Sequence, residues 1–477
     1  MAFGAPASKG GTMNQLAAAL GRLKPIDTIL AQGDDESHGL KRSMGALGLT
    51  AMGVGAIVGT GIFVLTGHAA AVNAGPALVL SFVVAGIVSA LAALCYAELA
   101  STVPIAGSAY TYTYATLGEF VAWIIGWDLI LEYAVGAATV SVGWSAYFVD
   151  FLKSAFGVQI PIALHAAPST GGFVDLPAMI IILLVSALLI RGTGESNVVN
   201  QIIVAVKLAI VAFFIIVGLG HINPANYHPF APFGTVGIFG GAAIIFFAYI
   251  GFDMVSTSAE ECRNPKKDLP IGILGSLVVC TLLYIAVTAV LTGMVNYKLL
   301  NVASPVSFAM ISVGLNWAAA IISIGAIAGL TTVLLALLYG QSRIFFAMSR
   351  DGLLPPIFSQ VHPKTRTPWI SNIIVGIAVM LIAGLTPIDT LAKLVNIGTL
   401  AAFVLVSIGV IVLRRSQPQL KRGFRVPGIP WIPILSILGE LFLMSNLPLQ
   451  TWIRFVIWLL IGFAIYFLYS RRKSALV

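Results

Sequence analysis

The chain has 477 residues, of which 58% are hydrophobic and only 9% charged, and its mean hydropathy is +0.98, far outside the composition of a water-soluble domain. Its 26 Lys plus Arg against 18 Asp plus Glu give a net charge of +8. These charges lie between apolar runs rather than in one patch, which excludes a nucleic-acid binder, and the same composition excludes disordered, collagenous and coiled-coil chains. Three cysteines, Cys95, Cys262 and Cys280, with no CxxC pair and no histidines at zinc-ligand spacing, exclude a disulfide scaffold and a structural metal.

Residues 1–43 are polar and mixed in charge, with Asp34, Asp35 and Glu36 ahead of the first apolar run, and they read as a retained tail rather than a removable signal peptide. Segments apolar enough to cross a hydrocarbon core of about 30 Å follow near 44–71, 76–102, 117–149, 174–190, 197–220, 237–258, 270–294, 316–346, 369–385, 388–413, 430–447 and 451–470. These are spans 1 to 12, and the expected class is an all-α polytopic membrane protein. An even number of spans puts both termini on one side. If that side is cytoplasmic, 21 of the 26 basic residues face it and only Lys153, Lys298 and Arg454 face the other; the excess of Lys and Arg in inner loops predicts cytoplasmic termini and a basic face toward anionic lipid.

Span 1 carries the run GVGAIVGTGIF from Gly53 to Phe63. Each glycine costs about 1 kcal/mol in a helix relative to alanine, so the backbone here has another task. Gly55 and Gly59 could serve close helix packing as a GxxxG pair. The adjacent Gly59, Thr60 and Gly61 point in more than one direction and weaken the helix itself, and at a rise of about 1.5 Å per residue they lie about 18 Å deep, near the bilayer middle.

In span 3, Glu132 lies about 22 Å along the helix, with Asp128 one turn earlier on the same face. Glu132 could carry a proton, pair with an amine or hydrogen-bond the broken first helix. In span 5, Lys207 is about 15 Å deep. A charge there costs roughly 2.5 to 3.5 kcal/mol, so it is either half of a structural ion pair or a group that gains and loses a proton. Glu98 and Asp253 lie nearer the ends of their spans and read as solvated or capping residues, and Lys393 near the end of span 10 as a snorkelling one.

Span 6 is interrupted in its turn by Phe246-Phe247-Ala248-Tyr249-Ile250-Gly251-Phe252-Asp253, again near mid-depth. Paired breaks in corresponding spans of two halves mark an inverted-repeat transporter. The expected organisation is a tail at 1–43, one repeat of five spans at 44–220, a second at 237–414, two accessory spans at 430–470 and a tail at 471–477. Where a helix unwinds, free N–H groups suit a carboxylate and free C=O groups an ammonium, which together fit the head of an amino acid. The chain has no P-loop, GxSxG elbow, HExxH or GxGxxG motif, so no enzyme, nucleotide cofactor, catalytic residue or metal is expected, and energy would come from an ion gradient or from exchange.

Gly59-Thr60-Gly61-Ile62-Phe63, Gly251-Phe252-Asp253 with Ala259-Glu260-Glu261 and Asn264-Pro265, and Tyr339-Gly340-Gln341-Ser342-Arg343 through Met348-Ser349-Arg350-Asp351-Gly352 resemble the amino acid–polyamine–organocation transporter superfamily. Within it, the chain is most similar to bacterial relatives of the cationic amino acid transporters. The resemblance covers roughly 41–470. It implies the LeuT-type fold of five plus five inverted spans, followed by two extra C-terminal helices. It further implies that the amides of Gly59, Thr60 and Gly61 receive the substrate carboxylate and the carbonyls of Phe247, Ala248 and Ile250 its ammonium. Glu132 matches the superfamily's span-3 glutamate, and Leu337 falls beside the substrate side chain. Lys207 matches a lysine that replaces a sodium ion in proton-coupled relatives, with the carbonyls of Gly55 and Val58 and the hydroxyls of Thr331 and Thr332 as its neighbours. The expected function is proton-coupled import of L-amino acids across the cell membrane. The bulk of Leu337 favours small neutral substrates such as alanine; cationic substrates, obligate exchange and a non-transporting sensor are the alternatives. Expected partners are the amino acid, protons and membrane lipid, with no nucleic acid; an accessory subunit is left open.

Overall fold

A computed structural model describes residues 22–24, 44–103, 108–192, 197–365 and 367–475. Most of the 1–43 tail, including Lys9, Lys41 and Arg42, lies outside the described residues, as do Arg366 and residues 476–477. Each of the twelve expected segments is helical. The two interrupted spans are Ala46–Ile57 continuing from Gly61 to Ala74, and Gly234–Ile245 continuing through Asp253–Glu261. The others are Leu78–Thr102, Glu119–Phe156, Leu176–Arg191, Asn197–Leu219, Pro265–Met294, Asn316–Arg350, Trp369–Leu385, Ile388–Ser416, Trp431–Ser445 and Leu449–Ile465. In lipid every backbone polar group must find its partner inside the segment, which is why apolar sequence of this length closes into helices.

Span 3 runs two turns beyond its apolar stretch to Phe156, and ends there on Gly157 in the left-handed region, φ 68°. It is the axle of the bundle, packing along spans 8, 10 and 9, while span 7 packs against span 2 and the first half of span 1. Spans 4, 5 and 12 turn large apolar side chains such as Leu184, Ile216 and Leu460 outward, as lipid-facing helices do. Two short helices, Ser108–Thr116 and Pro305–Ser312, have no counterpart in the sequence reading, because each is too short to register as a span.

Lys24 and Ala475, described residues toward either end of the chain, meet on one face. Lys24 Nζ pairs with Asp351 at 3.1 Å, Tyr110 donates to the same carboxylate at 2.8 Å, and Ala475 N–H donates to the Asp351 carbonyl at 3.0 Å. On that face Glu98 is fully buried rather than solvated. Arg414 grips it with two hydrogen bonds of 2.6 and 2.7 Å, Arg422 stands 3.2 Å away and the Val426 N–H donates at 2.7 Å. Span 2 is thereby tied to the loop after span 10. Lys393 likewise does not simply snorkel: it pairs with Asp389 one turn earlier at 2.7 Å.

Candidate functional site

Span 1 leaves helical geometry at Val58, whose ψ of 96° is extended, and resumes at Gly61. Span 6 leaves it at Ile250, ψ 133°, followed by Gly251 at φ +119°, a backbone conformation only glycine adopts without strain. The two breaks lie against each other in opposite directions. A Cβ on Gly61 would run into the backbone of Ala248, and a Cβ on Gly251 would come within 3.1 Å of the Ala56 carbonyl. The other glycines of the run face different neighbours: Gly55 is covered by Val204 of span 5, and a Cβ on Gly59 would meet Val333 of span 8 at 3.3 Å. Helix packing in one direction therefore accounts for only part of the run.

The polar groups released by the breaks have specific partners. The Tyr284 hydroxyl of span 7 lies 2.9 Å from both the Ile57 carbonyl and the Ala248 carbonyl, one from each break. Asn396 of span 10 donates to the carbonyls of Ala243 and Ile244 at 2.8 Å each, closing the end of the first half of span 6. Phe247 accepts from the Ile250 N–H at 3.3 Å. A carbonyl oxygen has two lone pairs, so Phe247 and Ala248 keep capacity for a second donor. Thr60 is buried, with its hydroxyl unpartnered among the described residues. Neither Tyr284 nor Asn396 stands out along the chain, because each is one of several polar side chains in its span, such as Ser276 and Thr288 in span 7 and Lys393 and Thr399 in span 10.

Lys207 is fully buried and donates to the Gly55 carbonyl at 2.7 Å, three residues before the break; its stem lies on Gly329 of span 8. No carboxylate pairs with it among the described residues, which removes the structural ion pair as an explanation. Thr331 donates to Ile327 at 2.7 Å and accepts from the Trp144 indole at 2.9 Å, and Thr332 donates to Gly329 at 2.8 Å. Both hydroxyls thus direct their protons along span 8. Leu337 faces Gly136 of span 3, where an added Cβ would lie 3.6 Å from its methyl groups.

A pattern matching the amino acid permease family covers residues 44–469. The chain belongs to the amino acid permeases. It is 54% identical to a branched-chain amino acid permease of Bacillus subtilis over 95% of this chain and 98% of that one, and 52% identical to a methylthioribose transporter of the same organism over 96% and 99%. A vacuolar cationic amino acid transporter of Arabidopsis thaliana is 33% identical over 96% of both. The protein is therefore a multi-pass membrane transporter of the amino acid–polyamine–organocation superfamily and not an enzyme.

The permease also holds a buried acidic group that the sequence reading saw only in part. Asp128 and Asp253 lie close enough to Glu132 for their charges to act on it, and all three are at most 2% exposed. Asp253 is thus buried rather than solvated, and it stands at the first residue of the helical segment Asp253–Glu261, as a capping residue does. One oxygen of each lacks a hydrogen-bond partner, and no basic side chain pairs with any of them, among the described residues. Glu132 lies one turn from Gly136, so the cluster adjoins the Leu337 side of the breaks on the way to the face with the termini. Buried carboxyls without a counter-charge suit a proton or a cationic group.

Replacing Tyr284 by phenylalanine removes the one hydroxyl proton that the two break carbonyls share. The expected cost is about 1 kcal/mol of stability and a loss of roughly three- to tenfold in substrate affinity, since the two breaks are no longer held to one phenol. Thermal unfolding and a binding titration on the purified permease measure the two effects separately.

Proposed function

We propose that the permease imports neutral aliphatic L-amino acids across the plasma membrane by proton-coupled symport, with both termini cytoplasmic. In this reading the spans of 44–220 and 237–414 form two inverted repeats that rock about the paired breaks. The amides of Gly59, Thr60 and Gly61 hold the substrate carboxylate, and the carbonyls of Phe247, Ala248 and Ile250 hold its ammonium. Leu337 and Gly136 bound the side-chain end. The observation that carries the reading is the Lys207 ammonium on the Gly55 carbonyl. A cation that can lose its proton is bound to the half-helix whose end forms the site, so deprotonation at Lys207 loosens span 1 at the substrate. The carbonyls of Gly55 and Val58 and the hydroxyls of Thr331 and Thr332 form its surroundings.

Small neutral substrates such as alanine fit beside Leu337, and the relative named for branched-chain amino acids supports aliphatic side chains. The acidic cluster at Glu132 favours a second reading in which the substrate is cationic, as in the plant relative's name. Uptake of radiolabelled alanine, leucine and arginine into proteoliposomes, with an inward proton gradient imposed or absent, separates the readings. Gradient-stimulated accumulation of alanine or leucine supports the first. Preferential arginine uptake supports the second. Uptake that ignores the gradient but requires internal amino acid makes the permease an exchanger, and binding without flux makes it a sensor. Leu337→Ala removes the bulk facing Gly136 and should raise uptake of longer side chains relative to alanine by about tenfold, in line with what a few methylenes are worth in an apolar pocket.

A further inference from the structure

At the end of the bundle away from the termini, four side chains join three separate elements. His68 stands two turns beyond Gly61 in the second half of span 1. Its Nδ1 is 3.0 Å from the Asn301 amide oxygen in the segment between spans 7 and 8, and its Nε2 is 3.0 Å from Asp389 Oδ1 at the start of span 10. The second oxygen of Asp389 accepts from Lys393 at 2.7 Å. The group is partly open to water, with side-chain exposures of 24% for His68, 35% for Asp389 and 19% for Lys393. One turn below it Phe63, Val64 and Leu65 are buried, so the contact lies above a closed path to the breaks.

Each ring nitrogen of His68 lies 3.0 Å from an oxygen, Nδ1 in a hydrogen bond with Asn301 and Nε2 in a close charge contact with Asp389. A neutral imidazole keeps the Asn301 hydrogen bond but carries no charge, whereas an imidazolium keeps that bond and sets a positive charge 3.0 Å from the Asp389 carboxylate. The charged groups facing His68 are Asp389 and Lys393 of span 10, and Asn301 is neutral. Any separation of the second half of span 1 from span 10 breaks the His68–Asp389 pair.

We propose that His68, between Asn301 and Asp389, is an external proton site that latches the outer half of span 1 to span 10. This rests on the reading above that the termini are cytoplasmic. The closed state holds a proton that the open state releases, so by linkage external acid favours closure and external alkali favours opening. The dependence falls in the range of a histidine side chain. It runs opposite to the stimulation that an inward proton gradient gives at Lys207, so the permease would close from outside at acid pH even while the driving force for symport rises.

The test uses a reporter thiol from Val64→Cys in the full permease expressed in intact bacteria, labelled with a membrane-impermeant maleimide; the native Cys95, Cys262 and Cys280 are buried. With His68 present, labelling should be at least about fivefold faster near pH 8 than near pH 5.5, the interval across which an imidazole titrates. His68→Gln and Asp389→Asn should each label fast at both pH values, and His68→Arg slowly at both, because a guanidinium keeps its charge. Asn301→Asp adds a second carboxylate to the ring and should move the midpoint to higher pH, which tests the latch even if His68→Gln fails to reach the membrane. An unchanged pH dependence in His68→Gln, or the same flat rate in every variant, overturns the proposal. A thiol from Lys298→Cys in the exposed segment before Asn301 reports the orientation separately: if it is not labelled from outside, the cytoplasmic placement of the termini fails rather than the latch.

Discussion

Lys207→Ala is expected to reduce gradient-driven accumulation of amino acid in proteoliposomes to the level of protein-free vesicles while leaving measurable exchange of labelled for unlabelled substrate. The variant removes the ammonium that Gly55 accepts from at 2.7 Å and leaves that buried carbonyl unpaired, at a cost of about 1–3 kcal/mol. It also removes the one deep basic group beside span 1 among the described residues, so proton movement has nothing to act through there. Lys207→Arg separates the two consequences. A guanidinium restores a donor for Gly55 but does not release its proton in this range, so exchange should recover and accumulation should not. Accumulation at wild-type level in Lys207→Ala would sink the proton-coupled mechanism, and equal recovery of both activities in Lys207→Arg would reduce the lysine to a structural cation.

Gly61→Ala is expected to abolish detectable substrate binding and to lower stability by about 1–3 kcal/mol, the usual cost of forcing atoms into a packed interior. The added Cβ meets the backbone of Ala248, which cannot move aside as a flexible side chain would without displacing the span 6 break. Gly136→Ala is the matched control. Its Cβ would sit 3.6 Å from the Leu337 methyl groups, an ordinary contact, so its unfolding midpoint should hold while the room for a substrate side chain shrinks. Thermal unfolding of the two variants in detergent, with a binding titration on each, gives the comparison. Normal binding in Gly61→Ala would mean that the breaks are not the site.

Much of this architecture is legible along the chain because lipid imposes a simple rule. A run of about 20 apolar residues must be a helix, so even the short span at Trp369–Leu385 is readable from composition. The break in span 1 is legible because glycine at Gly59 and Gly61 is costly unless the backbone departs from helix there, and Lys207 because a charge at that depth demands a reason. Glu98 and Asp253 are misread because their partners come from distant sequence. Glu98 looked like a solvated end until Arg414 and Arg422 folded over it, and Asp253 looked solvated until span 3 brought Glu132 beside it. Glu440, fully buried in span 11 with Ser436 donating to it at 2.8 Å, likewise finds its burial only in the packed bundle.

By itself, then, the sequence determined the class, the number of spans, the two breaks and the buried lysine, because each follows from local free energies of hydrocarbon burial and backbone strain. Only the tertiary structure decided that the breaks face each other in opposite directions, that Tyr284 and Asn396 satisfy their carbonyls, and that His68 meets Asp389 across 321 residues. Those contacts join parts of the chain with no local preference for one another, and it is the packing of the whole bundle that brings them within hydrogen-bonding distance.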